Sequence, residues 1–111
     1  MSKQKQKGTA FETCVVEYLR TQGWPHAIRH PLQGANDVGD VHGVHGVCIE
    51  VKNHATLKFS GWLGELDVEM SNAMAETGAV WAKRRGKGSA GEAYVVMTGE
   101  LYCALLRKAG Y

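Results

Sequence analysis

The chain has little of what would staple it, break it or hold it in a membrane. It has two prolines and three cysteines in 111 residues. Cys14, Cys48 and Cys103 form an odd, widely spaced set, which argues against a disulfide framework and favours a reducing compartment. No apolar run approaches the roughly 18 residues of a membrane span. The first residues also lack the apolar core of a signal peptide, so a cytoplasmic protein is expected. There is no repeat, no low-complexity block and no excess of one charge: Lys+Arg number 13 against 11 Asp+Glu, a formal charge of +2. Hydrophobic residues at 44% and charged ones at 22% are ordinary globular values that argue against a disordered chain. The length suits one domain, which at this size buries about two-thirds of its surface on folding.

The placement of the charges says more than their sum. Lys3, Lys5 and Lys7 alternate with Ser and Gln, so residues 1–7 read as a basic, flexible tail ahead of one domain over residues 8–111. Lys83, Arg84, Arg85 and Lys87 put four cations into five residues. Between these clusters, the stretch 61–78 carries Glu65, Asp67, Glu69 and Glu76 and no cation. Basic ends around an acidic middle suit a polyanionic partner held at particular places.

Periodicity gives the coarse architecture. An i, i+3, i+4, i+7, i+8 stripe of Phe11, Cys14, Val15, Tyr18 and Leu19 predicts a helix over 8–22, stopped by Gly23 and Pro25. Residues 26–32 read as extended, closed by Pro31 and Gly34. Segments 38–44 and 47–51 read as a hairpin around the Gly43–Gly46 turn. A second helix is expected over 60–77, capped by Ser60, stopped by Gly78, and facing inward through Leu63, Leu66, Met70, Ala73 and Met74. Strands are expected over 79–83 and 93–97, then a helix capped by Thr98, with Leu101, Ala104 and Leu105 inward and Gly110 near its end. The order is α-β-β-β-α-β-β-α, a small mixed α/β sheet flanked by helices.

The hairpin carries the chemistry. With its turn centred on His45, residues whose numbers sum to 90 face each other, so Asp40 faces Glu50. Directly opposed residues on one face have Cβ atoms about 4.5–5.5 Å apart. Two carboxylates that close repel unless a positive charge lies between them, and a hard divalent ion with oxygen ligands suits that place. Lys52, two residues beyond Glu50, shares its face. Two acids and a lysine on one side of an otherwise apolar hairpin do nothing for folding. Glu12, at the border of the first helix's stripe, has two readings: it projects toward this polar face, or it sits exposed and complements the helix dipole.

These residues resemble the PD-(D/E)xK nuclease superfamily, through Glu12 on the first helix, Asp40, and Glu50-Val51-Lys52. Within it, the Gly8-Thr9-Ala10-Phe11-Glu12 start, the small size and the downstream basic strand most resemble Holliday-junction resolvases of the archaeal and phage-encoded type. The resemblance spans roughly residues 8–97 and rests on four motif positions. It implies a restriction-endonuclease-like core and a Mg²⁺-dependent DNA endonuclease, with Mn²⁺ substituting, in a bacterial or archaeal cell or a phage-infected host. It implies that Asp40, Glu50 and the Val51 carbonyl bind the metal, that Glu12 completes the site, and that Lys52 orients or activates the attacking water. The family pattern often has Pro before the Asp, where this chain has Gly39. Asp37, 13 residues before Glu50 where Asp40 is 10 before it, is held in reserve.

On this reading Lys83, Arg84, Arg85 and Lys87, with Lys3, Lys5, Lys7 and Lys58, would hold phosphates of a four-way junction, and a homodimer would supply two sites for paired cuts. The alternatives are another nuclease of the superfamily, nicking, repair or restriction-like, and a DNA-binding module that has lost catalysis. The five histidines lack paired zinc-ligand spacing. Of the tryptophans, Trp62 is the candidate for an interface.

Overall fold

The first helix forms because its apolar residues recur on one stripe. In the computed structural model, which describes residues 3–30 and 37–111 with side chains from Gly8 onward, Phe11, Val15, Val16 and Leu19 are buried along that stripe. This helix, α1 (Lys3–Thr21), begins five residues before the predicted start and takes in most of the expected tail. Lys and Gln are good helix formers, and adding residues to an existing helix is cheap beside nucleating one. The side chains of Lys3, Lys5 and Lys7 lie outside the described residues. Gly23 at φ 118° ends α1, and the Trp24 N–H donates to the Leu19 carbonyl at 3.0 Å in the 6→1 pattern of a Schellman stop.

Then follow β1 (Ile28–Arg29), β2 (Val41–His42), β3 (Val47–Lys52), α2 (Phe59–Ala73), β4 (Thr77–Ala82), a 3₁₀ turn (Ala90–Glu92), β5 (Tyr94–Val96) and α3 (Gly99–Ala109). The element order matches the expectation. The strands form one mixed sheet in the order β1-β2-β3-β4-β5, antiparallel throughout except for the parallel β3–β4 pair joined by α2. Helices cover both faces. α1 packs over Val41, Ile49 and Val51; α2 covers Cys48, Val80 and Ala82 through Trp62 and Leu66, with Leu101 of α3 packed alongside. Central β3 is therefore buried on both sides.

Several boundaries differ from the expectation for identifiable reasons. β1 and β2 are only two residues each, and the predicted closing turn at Pro31 and Gly34 falls outside the described residues. α2 stops at Ala73, four residues early: Met74 takes a left-handed cap at φ 52°, and the Ala75 N–H donates to the Met70 carbonyl. Gly78 is therefore no helix stop. It sits in β4, where a Cβ would lie 2.9 Å from the Cys48 carbonyl oxygen and 3.0 Å from Met70 Sδ, so it lets α2 approach the sheet. Lys58, not Ser60, occupies the N-cap of α2. The buried stripe of α2 is Trp62, Leu66 and Glu69, while Ala73 and Met74 are exposed. Trp62 is a core residue and is not available as an interface. Thr98 caps α3 as expected, its Oγ1 accepting from the Leu101 N–H at 3.2 Å, but Leu105 faces outward.

Met74 is the one described non-glycine residue with positive φ, and its side chain is 90% exposed. Left-handed backbone costs an L-residue roughly 1–2 kcal/mol, partly offset by the greater unfolded-state entropy of glycine. Met74→Gly should stabilise the protein by about 0.5–1 kcal/mol. In a thermal melt it should raise Tm by a few degrees; an unchanged or lower Tm would contradict the capping account.

Candidate metal centre

The register that positions the site is the one the hairpin dictates. Val41 pairs with Ile49, so residue numbers sum to 90 across β2 and β3, and Asp40 arrives beside Glu50. The Asp40 backbone is fixed from both sides: its N–H donates to the Ile49 carbonyl at 2.8 Å, and its carbonyl accepts from the His30 N–H at 2.8 Å. Its Oδ2 accepts from the Val51 N–H at 2.8 Å. Gly39 makes this turn possible, because it sits at φ 98° and a Cβ there would lie 3.0 Å from Cys48 Sγ and 3.1 Å from the Ile49 carbonyl oxygen. Glycine before the Asp is thus a steric requirement of this chain.

Alternation along β3 sends Cys48, Glu50 and Lys52 toward α2. Glu50 is 6% exposed, and its Oε1 has no hydrogen-bond partner. Its Oε2 lies 3.5 Å from Lys52 Nζ. Burial, then the Asp40 carboxyl pressed against it, then the charge of Glu69 push the Glu50 carboxyl far above the ordinary range, against the pull of Lys52. Lys52 Nζ reaches Glu65 Oε2 at 2.8 Å and lies 6.0 Å from the centre of the Trp62 ring. Burial pulls the Lys52 ammonium down, but the hydrogen bond to Glu65 and the charges of Glu50 and Glu65 outweigh it and hold its pKa above the ordinary lysine value. Lys52 is a fixed positive charge at neutral pH.

Glu12, Asp40, Glu50, Val51, Lys52 and Lys58 line one open cleft of about 560 Å³ at the end of β3. Of the two readings of Glu12, the structure has the one facing the site. Burial and the nearby Asp40 raise its pKa, while Arg29, with Nε 3.5 Å from Glu12 Oε1, works against them. Asp37 does not line the cleft. One oxygen of Asp37, one of Glu50 and one of Glu69 lie within 4.8 Å of one another on the α2 side. The basic loop leaves the same strand end, since the Lys83 N–H donates to the Lys52 carbonyl at 2.9 Å. None of its four cations is among the residues lining the cleft: Lys83 Nζ sits 5.6 Å from the Phe11 ring centre, Arg84 5.8 Å from that of Tyr94, and Lys87 Nζ 3.5 Å from Glu92 Oε2; Arg85 is exposed.

Sequence reasoning passed over Glu69 and Glu65. Glu69 stands on the same stripe as Trp62 and Leu66, and an acid at a core-facing helical position is a signal in itself. Glu65 precedes Leu66 and, at the sequence level, is one surface acid among four. The only metal-competent group found among the described residues is all carboxylate, with no histidine. Cys48 adds no soft ligand: burial, followed by Glu69, Glu50, Asp37 and Asp40, pushes its thiol up to about 12. The cleft acids Glu12, Asp40 and Glu50 are hard oxygen donors too, and a cation such as Mg²⁺ fits them because Glu50 Oε1 is buried without a donor, although among the described residues they do not stand as close together as Asp37, Glu50 and Glu69. No family model, curated protein or solved structure matches the chain.

Acids raised above their unfolded values hold protons in the folded state that the unfolded chain releases. Metal-free protein should therefore lose stability as pH rises from the ordinary carboxylate range through neutrality, by up to about 1.4 kcal/mol per pH unit for each such acid. Thermal melts in chelator should show Tm falling between pH 5 and pH 8, Mg²⁺ restoring it at pH 8, and Glu50→Gln removing much of the slope. A flat profile would mean that Glu50 is ionised at no cost.

Proposed function

We propose that this protein is a Mg²⁺-dependent, structure-selective DNA endonuclease with a restriction-endonuclease-like core, and that it resolves four-way junctions as a homodimer. The observation that carries the reading is that Glu12, Asp40, Glu50, Val51 and Lys52 all line one open cleft. The residues were expected from the hairpin register and the resemblance to PD-(D/E)xK nucleases.

Phosphodiester hydrolysis needs a nucleophilic water and relief of charge on the transferring phosphorus and the leaving oxygen. Bound Mg²⁺ supplies Lewis acidity toward the phosphate and lowers the pKa of a coordinated water. Asp40, Glu50, Glu12 and the Val51 carbonyl are the groups that would hold it. Asp40 is pre-oriented by the Val51 N–H, so it does not have to be ordered on binding. Lys52 remains protonated and so contributes positive charge and N–H donors where negative charge develops; it orients water and does not remove a proton from it. Lys58, which also lines the cleft, would meet a backbone phosphate. The loop of Lys83, Arg84, Arg85 and Lys87 continues this positive surface past the strand end and touches the arms through backbone phosphates, which report shape and not base identity.

Labelled four-way junction, nicked, flapped and plain duplex DNA, each incubated with Mg²⁺ or with chelator, should give symmetric paired cuts in the junction alone and only with metal. Cutting of plain duplex, or no cutting of any substrate, would overturn the resolvase reading. Lys52→Ala should lower cleavage by about 10²–10³-fold, the loss seen when one donor to a developing negative charge is removed, while junction binding measured by gel shift persists. Retained cleavage would remove the role of Lys52. Replacing Arg84 and Arg85 with Ala should flatten the dependence of log K on log salt by about 0.9 for each phosphate that the loop no longer neutralises. An unchanged slope would mean the loop faces away from DNA.

A further inference from the structure

Behind the open cleft, Glu69 is the most unusual side chain of the protein. It is 2% exposed on a helix otherwise packed through Trp62 and Leu66, and neither of its carboxylate oxygens is met by a hydrogen-bond donor. Its neighbours are acids. Burial and the charges of Asp37 and Asp40 raise its pKa, with the contact to Glu50 and the charge of Lys52 acting the other way. A glutamate buried in this way is costly unless something positive reaches it. Lys52 is committed to Glu65, at 2.8 Å.

We propose that Glu69, Asp37 and Glu50 form a divalent-cation site of their own, separate from the cleft and sharing only Glu50 with it. The inference rests on the placement of these acids and not on the nuclease reading. One oxygen from each acid lies within 4.8 Å of the others. Ligand oxygens around an octahedral Mg²⁺ stand about 3.0–4.2 Å apart, and those around the larger Ca²⁺ up to about 4.8 Å. The group thus lies within the span of ligands around one hard divalent ion. All donors of the group are hard oxygens, which suits a hard divalent cation.

The three acids come from three parts of the chain, the loop before β2, strand β3 and helix α2. The Asn72 Nδ2 donates to the Asp37 carbonyl at 2.8 Å, so α2 fixes the loop one turn from Glu69. Asp37 itself is exposed, which gives an ion a path from solvent to the buried glutamates. Asp37 Oδ1 accepts from the Gly39 N–H at 3.0 Å, a bond that orients the carboxylate. An ion here ties loop, sheet and helix together and sets the side chain of Glu50, which also faces the cleft.

Mn²⁺ titrated into the chelator-stripped full chain, with free Mn²⁺ read by electron paramagnetic resonance and stability by thermal melt, tests this. Wild type should bind Mn²⁺ and melt higher with it. Glu69→Gln should weaken one binding event at least tenfold and remove most of the Mn²⁺-induced rise in Tm. Asp37→Asn, at an exposed position where folding is not at stake, should weaken the same event. Glu12→Gln, in the cleft, should leave it intact. Unchanged Mn²⁺ binding in both Glu69→Gln and Asp37→Asn would overturn the site. So would a wild-type melt indifferent to Mn²⁺ with Glu69→Gln melting higher in metal and chelator alike, because the buried acids would then share a proton and not an ion. DNA cleavage is not a readout of this experiment, so failure of the nuclease reading leaves its result unaffected.

Discussion

The structure turns on one electrostatic constraint: the carboxyl of Glu50 is held at the centre of a sheet covered on both faces, against the carboxyl of Asp40 and within reach of two further acids. Bringing an ionised carboxylate out of water costs several kcal/mol even after the protein relaxes. Lys52 returns part of that at 3.5 Å, but Lys52 is shared with Glu65 and cannot neutralise four carboxylates. Either protons or a cation must complete the balance. Much of the surrounding construction follows from holding these groups in place: the Val51 N–H on Asp40, the close approach at Gly39, and the Asn72 clamp on the loop.

The two faces of the sheet divide the labour. On the α1 side, Phe11, Val15, Val16, Leu19, Val41, Ile49 and Val51 belong to the larger apolar cluster. The α2 side is smaller and gives up apolar volume to Glu50, Glu69 and Lys52. A strand that alternates faces cannot put Glu50 and Lys52 on one side without committing Ile49 and Val51 to the other, and Val51 serves both sides, with its side chain in the core and its N–H on Asp40. The site is tolerated because the opposite face carries the core.

Residues with a period to follow were legible in the sequence. The α1 stripe, the Thr98 cap, the order of elements and the sum-to-90 register across the hairpin each follow from local pattern, and the register brought Asp40 to Glu50. What was not legible depends on non-local packing. Gly78 reads as a helix stop until Met70 and Cys48 are seen against it, and Met74 gives no hint of a left-handed cap. Trp62 reads as a surface aromatic beside two glycines, yet it fills the space under α2. Glu69 carries one sequence signal, its place on the stripe of Trp62 and Leu66, but only the packing of α2 against the sheet makes it a neighbour of Glu50. At Gly39 the positive φ is within glycine's own freedom, but that no other side chain fits there shows only once Cys48 Sγ and the Ile49 carbonyl oxygen are seen against it.

The most direct test is a carboxyl ¹³C NMR titration of the Glu50 side chain, in chelator and then with saturating Mg²⁺. In chelator Glu50 should stay protonated through neutral pH, and with Mg²⁺ it should be ionised there. A Glu50 that titrates in the ordinary carboxylate range without metal would contradict the account at its base.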